Sequence, residues 1–187
     1  NADVIEAGRT ATDRLLALLG KRAPYSMDEM HDLPVSELLS RAEAALLADD
    51  LVGARELLEH APPAWRNAPQ VRLRLGQIDF RAGQLDAARK RFDALLAEVS
   101  AESDPVLRAR VLNGLGVVEI REDRNSDGER DFDEAIDLCV YCHGQSSLRG
   151  HAYTGRAVAF ASQGHLDLAT ADCSPARIAL QLAGDTL

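Results

Sequence analysis

The sequence predicts an all-α fold, and three observations support this prediction. Hydrophobic residues make up 46% of the 187 residues and aromatic residues only 4%, so small and aliphatic side chains must form most of the core. Such a composition suits closely packed helices better than a β-sandwich. Apolar residues also recur at the spacing of a helix face, with glycine or proline between the apolar segments. Finally, one helix–turn–helix pattern recurs along the chain.

The recurring pattern is clearest in residues 75–92, LGQIDFRAGQLDAARKRF. Gly83 separates two short predicted helices. Small residues lie where these two helices must approach closely, Gly76 on the first and Ala88 on the second. Residues equivalent to Gly76 are Ala42, Gly116 and Ala157, and the successive intervals counted from Ala42 through Gly76 and Gly116 to Ala157 are 34, 40 and 41 residues. The sequence therefore predicts four similar helix pairs.

The order Leu-Gly, Gly, Ala and Phe in residues 75–92 resembles the tetratricopeptide repeat, a helix–turn–helix unit that stacks into a superhelix. The longer intervals are similar to those in the sensor repeats of bacterial signalling and transcription regulators. The resemblance covers about residues 35–187. It implies a right-handed superhelix that serves as a protein- or peptide-binding scaffold. Such a scaffold would be the sensor or adaptor module of a larger bacterial signalling or regulatory protein.

Residues 1–34 are predicted to form an N-terminal helix and a linker ahead of the repeats. Asp3 and Glu6 form a capping-box pattern at the start of the amphipathic segment Val4–Leu19. Gly20 then supplies a helix stop, and the residues after it have the composition of a linker. The superhelix is therefore expected to carry a leading helix.

The four repeats are predicted at about residues 35–63, 69–100, 104–143 and 147–184. Ser36 and Asp104 are predicted N-caps, and a proline follows Asp104 in the first turn. Ser174 and Pro175 have the pattern of a new helix start, so a kink or break is expected at Cys173–Pro175 before the last helix ends at Gly184.

The sequence after Gly184 shows no polar capping helix of the kind that normally ends a solenoid. The chain is therefore expected to be a piece of a longer protein. Its C-terminal face is expected to meet further repeats, another domain or a second copy of the chain, so self-association is one predicted interaction.

The charge argues against two classes of partner. Lys and Arg number 21 against 30 Asp and Glu, which gives a formal net charge of -9 at pH 7. Such an acidic chain is poorly suited to bind nucleic acid or an anionic membrane. No apolar run approaches the ~20 residues of a membrane span. The odd number of cysteines, 3, favours a reducing compartment and predicts a cytoplasmic protein.

The predicted binding site is the concave surface that the first helix of each repeat lines in the family that the sequence resembles. Arginine forks suit carboxylates, and an Asn side chain can bind a peptide backbone through both donor and acceptor. The partner is therefore expected to be a protein or peptide segment that is acidic or ends in a carboxylate. The selected groove residues are Arg74, Gln77, Phe80, Arg81, Arg110, Asn113, Ile120, Arg121 and Thr154. The alternative is that these arginines pair with acidic residues of neighbouring helices.

Residues 123–134 also fit the pattern of an EF-hand calcium loop. Ca²⁺ needs several oxygen ligands around a sharp glycine turn. The matching side chains are Asp123, Asn125, Asp127, Glu129, Asp131 and Glu134. Against calcium, Arg130 replaces an aliphatic residue, and the segment aligns without a gap with the turn of the second repeat, which needs no metal. We therefore expect a repeat turn with Ser126 as helix cap and no metal, and a calcium-responsive module is the alternative function.

No motif predicts an enzyme or a cofactor. Cys139, Cys142 and His143 have the spacing of covalent haem attachment, with a redox-active cysteine pair as a second alternative. These residues fall at the end of a predicted repeat helix, in a chain with few aromatic residues to form a haem pocket. A nucleophile elbow, a phosphate loop and the HExxH motif are all missing from the sequence. We therefore expect neither catalytic activity nor a cofactor.

Overall fold

The computed structural model of the chain describes residues 34–140 and 144–184. Within these ranges it contains 9 α-helices packed in sequential pairs, which confirms the predicted all-α repeat fold. The helices are α1 (Val35–Leu47), α2 (Leu51–Glu59), α3 (Pro63–Arg66), α4 (Pro69–Arg81), α5 (Leu85–Glu98), α6 (Pro105–Arg121), α7 (Asn125–Val140), α8 (Ser146–Ser162) and α9 (Leu166–Ala183). The pairs are α1 with α2, α4 with α5, α6 with α7, and α8 with α9, while α3 is a short helix between the first two pairs.

The two predicted N-caps have different outcomes. The Asp104 carboxylate accepts a 2.9 Å hydrogen bond from the backbone N–H of Leu107 and caps α6 as predicted. The prediction for Ser36 is wrong, because α1 begins at Val35 and Ser36 is already helical. The backbone carbonyl of Pro34 accepts the first hydrogen bonds of this helix, so no side-chain cap is used.

The core of the described chain consists of clusters of buried apolar side chains that follow one another along the stack. The first cluster joins α1, α2 and α4, the second joins α4, α5 and α6, and the third joins α6, α7 and α8. The first helix of a pair therefore buries two faces. In α4, for example, Leu75 belongs to the first cluster and Leu73 to the second. This serial core buries apolar faces that a single pair could not bury alone.

The ring of Phe92 on α5 lies against glycines of the two neighbouring first helices. A Cβ atom placed on Gly76 of α4 would lie 2.5 Å from this ring, and one placed on Gly114 of α6 would lie 2.8 Å from it. A side chain at either position would require the ring or a helix to move. The predicted close contact at Gly76 is confirmed, whereas the contact at Gly114 was not predicted.

Phe132 on α7 repeats this arrangement one pair later. A Cβ atom placed on Gly116 of α6 would lie 2.9 Å from its ring, and one placed on Gly155 of α8 would lie 2.3 Å from it. The predicted close contact at Gly116 is confirmed. In the last pair the prediction needs correction, because Ala157 is only partly buried and Gly155 makes the close contact.

The last helix continues through Pro175, so it does not break there, and of the predicted kink or break only the kink stays a prediction. Proline removes one backbone hydrogen bond and normally ends or kinks a helix. Here the chain on both sides of the proline is held against α8, because Arg156 donates hydrogen bonds of 2.8 and 2.7 Å to Asp172, and Leu180 packs where Gly150 leaves room. These contacts outweigh the local preference of proline. The helix ends as predicted at Gly184, which adopts a left-handed conformation with φ 79°.

Some predictions concern parts of the chain that lie outside the described residues. The leading helix Val4–Leu19 and its linker fall in residues 1–33.

Two further features stay predictions for a different reason, since nothing tests them. They are the right-handed sense of the superhelix and the stated bounds of the four repeats. Among the described helices, none is long and apolar enough to cross a membrane.

The last helix leaves several large apolar side chains exposed. They are Leu166, Leu168, Ile178 and Leu182. Exposed apolar residues on one element can mark a contact surface. Self-association through this end of the molecule therefore stays a prediction.

Candidate functional site

The first helices of the four pairs, α1, α4, α6 and α8, line a groove with a volume of about 910 Å³. Stacking brings these helices to one side of the molecule, because each pair follows the same order as the pair before it. The groove is lined by most of the residues that were selected from the sequence. They are Arg74, Gln77, Phe80, Arg81, Arg110, Asn113 and Thr154.

The other two selected residues do not line the groove. Ile120 packs against the core cluster between α6 and α7, so its proposed contact with a partner needs correction. The guanidinium carbon of Arg121 lies 5.4 Å from the centre of the Phe80 ring, at a distance that allows a cation–π interaction. Because Phe80 lines the groove, Arg121 lies at its edge.

Two of the predicted groove arginines are already paired with acidic residues of the first helix pair. Arg74 forms an ion pair with Glu43 and donates a 3.0 Å hydrogen bond to Gln77. Arg81 forms a 2.9 Å ion pair with Asp49. For these two arginines the alternative interpretation, pairing with neighbouring helices, is correct. Their charge is therefore partly compensated before any ligand arrives.

Two polar groups that α6 contributes to the groove have no partner within the part of the chain that the structure describes. Arg110 is exposed and forms no ion pair within the part of the chain that the structure describes. The side-chain oxygen of Asn113 is buried and has no hydrogen-bond partner there. An unpaired buried carbonyl costs about 1–3 kcal/mol, so a ligand that donates an N–H to it would remove this penalty. On α8, the Thr154 hydroxyl donates a 2.9 Å hydrogen bond to the carbonyl of Gly150.

Apolar side chains that were not selected from the sequence complete the groove. Leu46 and Leu47 of α1 precede Phe80 and Arg81 by the first repeat interval of 34 residues, so the repeat alignment contained a signal for them. Leu47 is 84% exposed. An apolar side chain with this exposure beside a polar groove can contact a bound segment.

Residues 125–134 are helical, so the EF-hand pattern does not form a calcium loop in this structure. Asp123 has a left-handed conformation with φ 59°, and α7 begins two residues later. Several carboxylates of the segment are paired: Asp127 with Arg124 and Arg130, Glu129 with Gln163, and Glu134 with Arg108. Among the described residues, no group of three or more His, Cys, Asp or Glu side chains could hold a metal ion.

Ser126 does not cap α7, which corrects the predicted capping box. The backbone carbonyl of Arg124 accepts the first hydrogen bonds of this helix. The Ser126 hydroxyl donates a 3.3 Å hydrogen bond to Gln163, which directly follows α8, and Gln163 in turn donates a 3.0 Å hydrogen bond to Glu129. The two side chains of the predicted box therefore contact the next helix pair instead of the helix end.

The predicted haem-type motif is only partly described. Cys142 and His143 lie in residues 141–143, outside the described residues. Cys139 is buried at the end of α7 and packs in the third core cluster. The haem and redox alternatives therefore stay untested predictions.

The second helix pair buries an acidic residue on α4, one of the helices that line the groove. Asp79 on α4 is 1% exposed. Arg55 of α2 lies 2.7 Å from one carboxylate oxygen, and Arg91 of α5 lies 2.6 Å from the other. Two guanidinium groups thus compensate one buried carboxylate, as the burial of a charge requires.

The third helix pair buries an acidic residue in a different environment. Glu119 on α6 lies 3.3 Å from Arg89 and 2.9 Å from Arg124, but the acidic side chain of Asp131 is also a neighbour. Burial and then the charge of Asp131 raise the pKa of Glu119 to about 8. Burial raises the pKa of Asp131 to about 6. The two neighbouring acids together therefore hold a proton more readily than two separate exposed carboxylates would.

Neither a protein-family model nor a curated protein sequence matches the chain. The structure is similar to the crystal structure of MamA, a protein of tetratricopeptide repeats, with a TM-score of 0.57. The fold is a tetratricopeptide-like helical repeat. The two sequences are 16% identical, and the matched region covers 81% of each chain. At this identity the similarity shows the fold, so the role of the groove must be argued from its residues.

Proposed function

We propose that the chain is a protein- or peptide-binding scaffold whose groove takes a segment that is acidic or ends in a carboxylate. One observation carries this proposal. The groove places Arg110 and the side-chain oxygen of Asn113, neither of which has a partner among the described residues, one helical turn apart on α6. Together they offer a positive charge and a hydrogen-bond acceptor to one extended segment.

Each group has a separate role in this proposal. Arg110 would bind a carboxylate of the partner, because guanidinium and carboxylate form paired charge-assisted hydrogen bonds. Asn113 would accept a backbone N–H of the partner, and Phe80 and Leu47 would contact its apolar side chains. A charge-assisted hydrogen bond to Arg110 would contribute about 1.5–3 kcal/mol if water is excluded and less if the contact stays exposed.

The wider context of the proposal is a sensor or adaptor module of a larger bacterial signalling protein in the cytoplasm. The repeat intervals support this context, since they are similar to those of signalling regulators, and no motif for catalysis accompanies them. Reading the rest of the gene tests it directly. A neighbouring output or DNA-binding domain would support the signalling role, and a neighbouring catalytic domain without such an output would contradict it.

The groove is tested by selecting peptides on the full chain and measuring their affinity for variants. We expect selected peptides to be acidic or to need a free carboxylate at their C-terminus. Arg110→Glu should weaken them about tenfold or more, because a repulsive charge replaces an attractive one. The control is Lys90→Glu, which makes the same change of charge at an exposed position on α5 that does not line the groove. Equal loss in both variants, or none in Arg110→Glu, would contradict the proposed site.

A further inference from the structure

A second concavity, with a volume of about 610 Å³, lies between the first and second helix pairs. It exists because α2 has 9 residues whereas its counterpart α5 has 14, and the short helix α3 follows α2. The chain therefore leaves a space between α3, α4 and α5. The lining residues are Glu59, His60, Arg66, Asn67, Arg72, Leu75 and Arg91. None of them lines the groove.

Two arginines of this concavity are held in place through only one nitrogen each. The Nε of Arg66 donates a 3.2 Å hydrogen bond to the carbonyl of Ala61, and the Nε of Arg91 donates a 2.6 Å hydrogen bond to Asp79. Among the described residues, the terminal Nη groups of Arg66 and Arg91 donate to no other side chain or carbonyl. Each arginine is therefore oriented by the protein while it keeps donors for a ligand.

The other polar groups of the site favour an anion. The Nδ1–H of His60 donates a 2.8 Å hydrogen bond to the carbonyl of Glu56 and orients the ring, whose Nε2 would donate to an anion only when both ring nitrogens carry a proton. Asn67 adds an exposed side-chain amide. Arg72 is bound at both terminal nitrogens by Glu98.

One carboxylate of the lining opposes an anion. Glu59 lies 3.5 Å from Arg55, so its charge is partly compensated within the protein. Arg66, in contrast, has no carboxylate partner among the described residues. The positive charge that remains for a ligand is therefore centred on Arg66, on the wall that α3 supplies.

We propose that this concavity is a binding site for a small anion that carries phosphate groups. Phosphate fits better than a single carboxylate, because its oxygens point in several directions and can accept from two guanidinium groups and an amide together. Arg66 and Arg91 both line the concavity, so two linked phosphates would offer each guanidinium group its own partner. The site is separate from the peptide groove and does not depend on its function.

The experiment is a calorimetric titration of the full chain with inorganic pyrophosphate at constant ionic strength, followed by the same titration with citrate. We expect saturable binding of pyrophosphate and binding of citrate that is weaker by about tenfold or more. The test variant is Arg66→Gln, which removes the charge of an exposed side chain and should lower the affinity about tenfold. The control variant is Arg177→Gln, an exposed arginine on α9 that bonds only to Gln181 among the described residues.

Each outcome decides the proposal. Loss of pyrophosphate affinity in Arg66→Gln but not in Arg177→Gln supports the site. Equal affinity of all three proteins, equal affinity for citrate and pyrophosphate, or no saturable binding overturns it. Asn67→Asp is a second test, because it adds a repulsive carboxylate at an exposed position and should weaken the binding as well. The peptide-groove variant Arg110→Glu should leave pyrophosphate binding unchanged.

Discussion

The second and third helix pairs bury an acidic residue at the same point of the repeat and surround it differently. Asp79 and Glu119 are 40 residues apart, the interval between the two pairs. The same interval relates Arg91, which binds Asp79, to Asp131, whose charge helps to raise the pKa of Glu119. A cation in one pair is therefore replaced by an acid in the next.

The two pairs are therefore alike in how their helices pack and different in the charges around the buried acid. Both use a phenylalanine ring against glycines of the neighbouring helices, so their helices approach in the same way. The second pair holds its buried carboxylate between two arginines, whereas the third pair holds its buried carboxylate next to a second acid that raises its pKa. We therefore expect packing mutations to act alike in the two pairs and charge mutations to act differently.

The largest expected effect on stability comes from placing a second acid beside the buried acid of the second pair, as in the third pair. Arg91→Asp would place a second acid beside the buried Asp79 and leave only Arg55 to compensate both. Breaking a buried ion pair costs roughly 3–5 kcal/mol. Urea unfolding at pH 8 should show this loss, and at pH 5 the loss should be smaller because a shared proton can form.

The control for this prediction is Lys90→Asp, which introduces an acid at the neighbouring exposed position. We expect it to change the free energy of unfolding by less than about 1 kcal/mol. If Arg91→Asp were as mild as Lys90→Asp, the ion pairs of Asp79 would not stabilise the second pair.

The next prediction tests the packing contact that the two pairs share, a phenylalanine ring against a glycine. Gly76→Leu should destabilise the protein by roughly 1–3 kcal/mol or more, because the added side chain meets the ring of Phe92. Gly116→Leu should have a similar effect through Phe132. Thermal unfolding at pH 5 and pH 8 should give the same loss at both values. A large effect at one glycine alone would show that the two ring contacts are not equivalent.

The fold was predictable from sequence where local signals decide the structure, and less so where contacts between pairs decide it. The starts at Pro69 and Asp104 follow from proline and a capping side chain. At Pro175 the same kind of signal failed, because contacts with α8 hold the helix on both sides of the proline. Such contacts depend on residues more than ten positions away.

The position of the groove could be predicted from the sequence, but not which of its arginines are already paired with an acid. The repeat alignment placed Arg74 and Arg110 on the same surface, because equivalent helices face the same side. It could not show that Arg74 reaches Glu43 while Arg110 reaches no carboxylate among the described residues, since this depends on the side-chain conformations of long residues. Gly114 and Gly155 are 41 residues apart, the same interval as between Gly116 and Ala157, so the repeat spacing contained a signal for their contacts. The prediction missed it because it followed only the equivalents of Gly76.

A smaller effect concerns the pH dependence of the third pair. The pKa of Glu119 is raised in the folded protein to about 8 from an ordinary value of 4.5, so the folded state binds more protons between these values. The free energy of unfolding should therefore fall as the pH rises from 5 to 8. Urea unfolding across this range measures the slope.

Two variants identify the source of this slope. Glu119→Gln keeps a hydrogen-bond donor for Asp131 without a titrating proton, so its stability should change less with pH. Glu56→Gln, at an exposed position on α2, should keep the slope of the wild type. A wild-type protein that becomes more stable as the pH rises from 5 to 8 would contradict the raised pKa of Glu119.

The smallest expected effect is that of calcium on the third pair. Millimolar Ca²⁺ should leave the melting temperature and the circular dichroism unchanged, because residues 125–134 are helical and several of their carboxylates are paired within the protein. A cation would have to unwind the start of α7 and break the ion pair between Glu134 and Arg108. Saturable calcium binding that Glu134→Gln abolishes would restore the calcium-responsive alternative. It would also mean that the third pair differs from the second in its turn as well as in its buried charge.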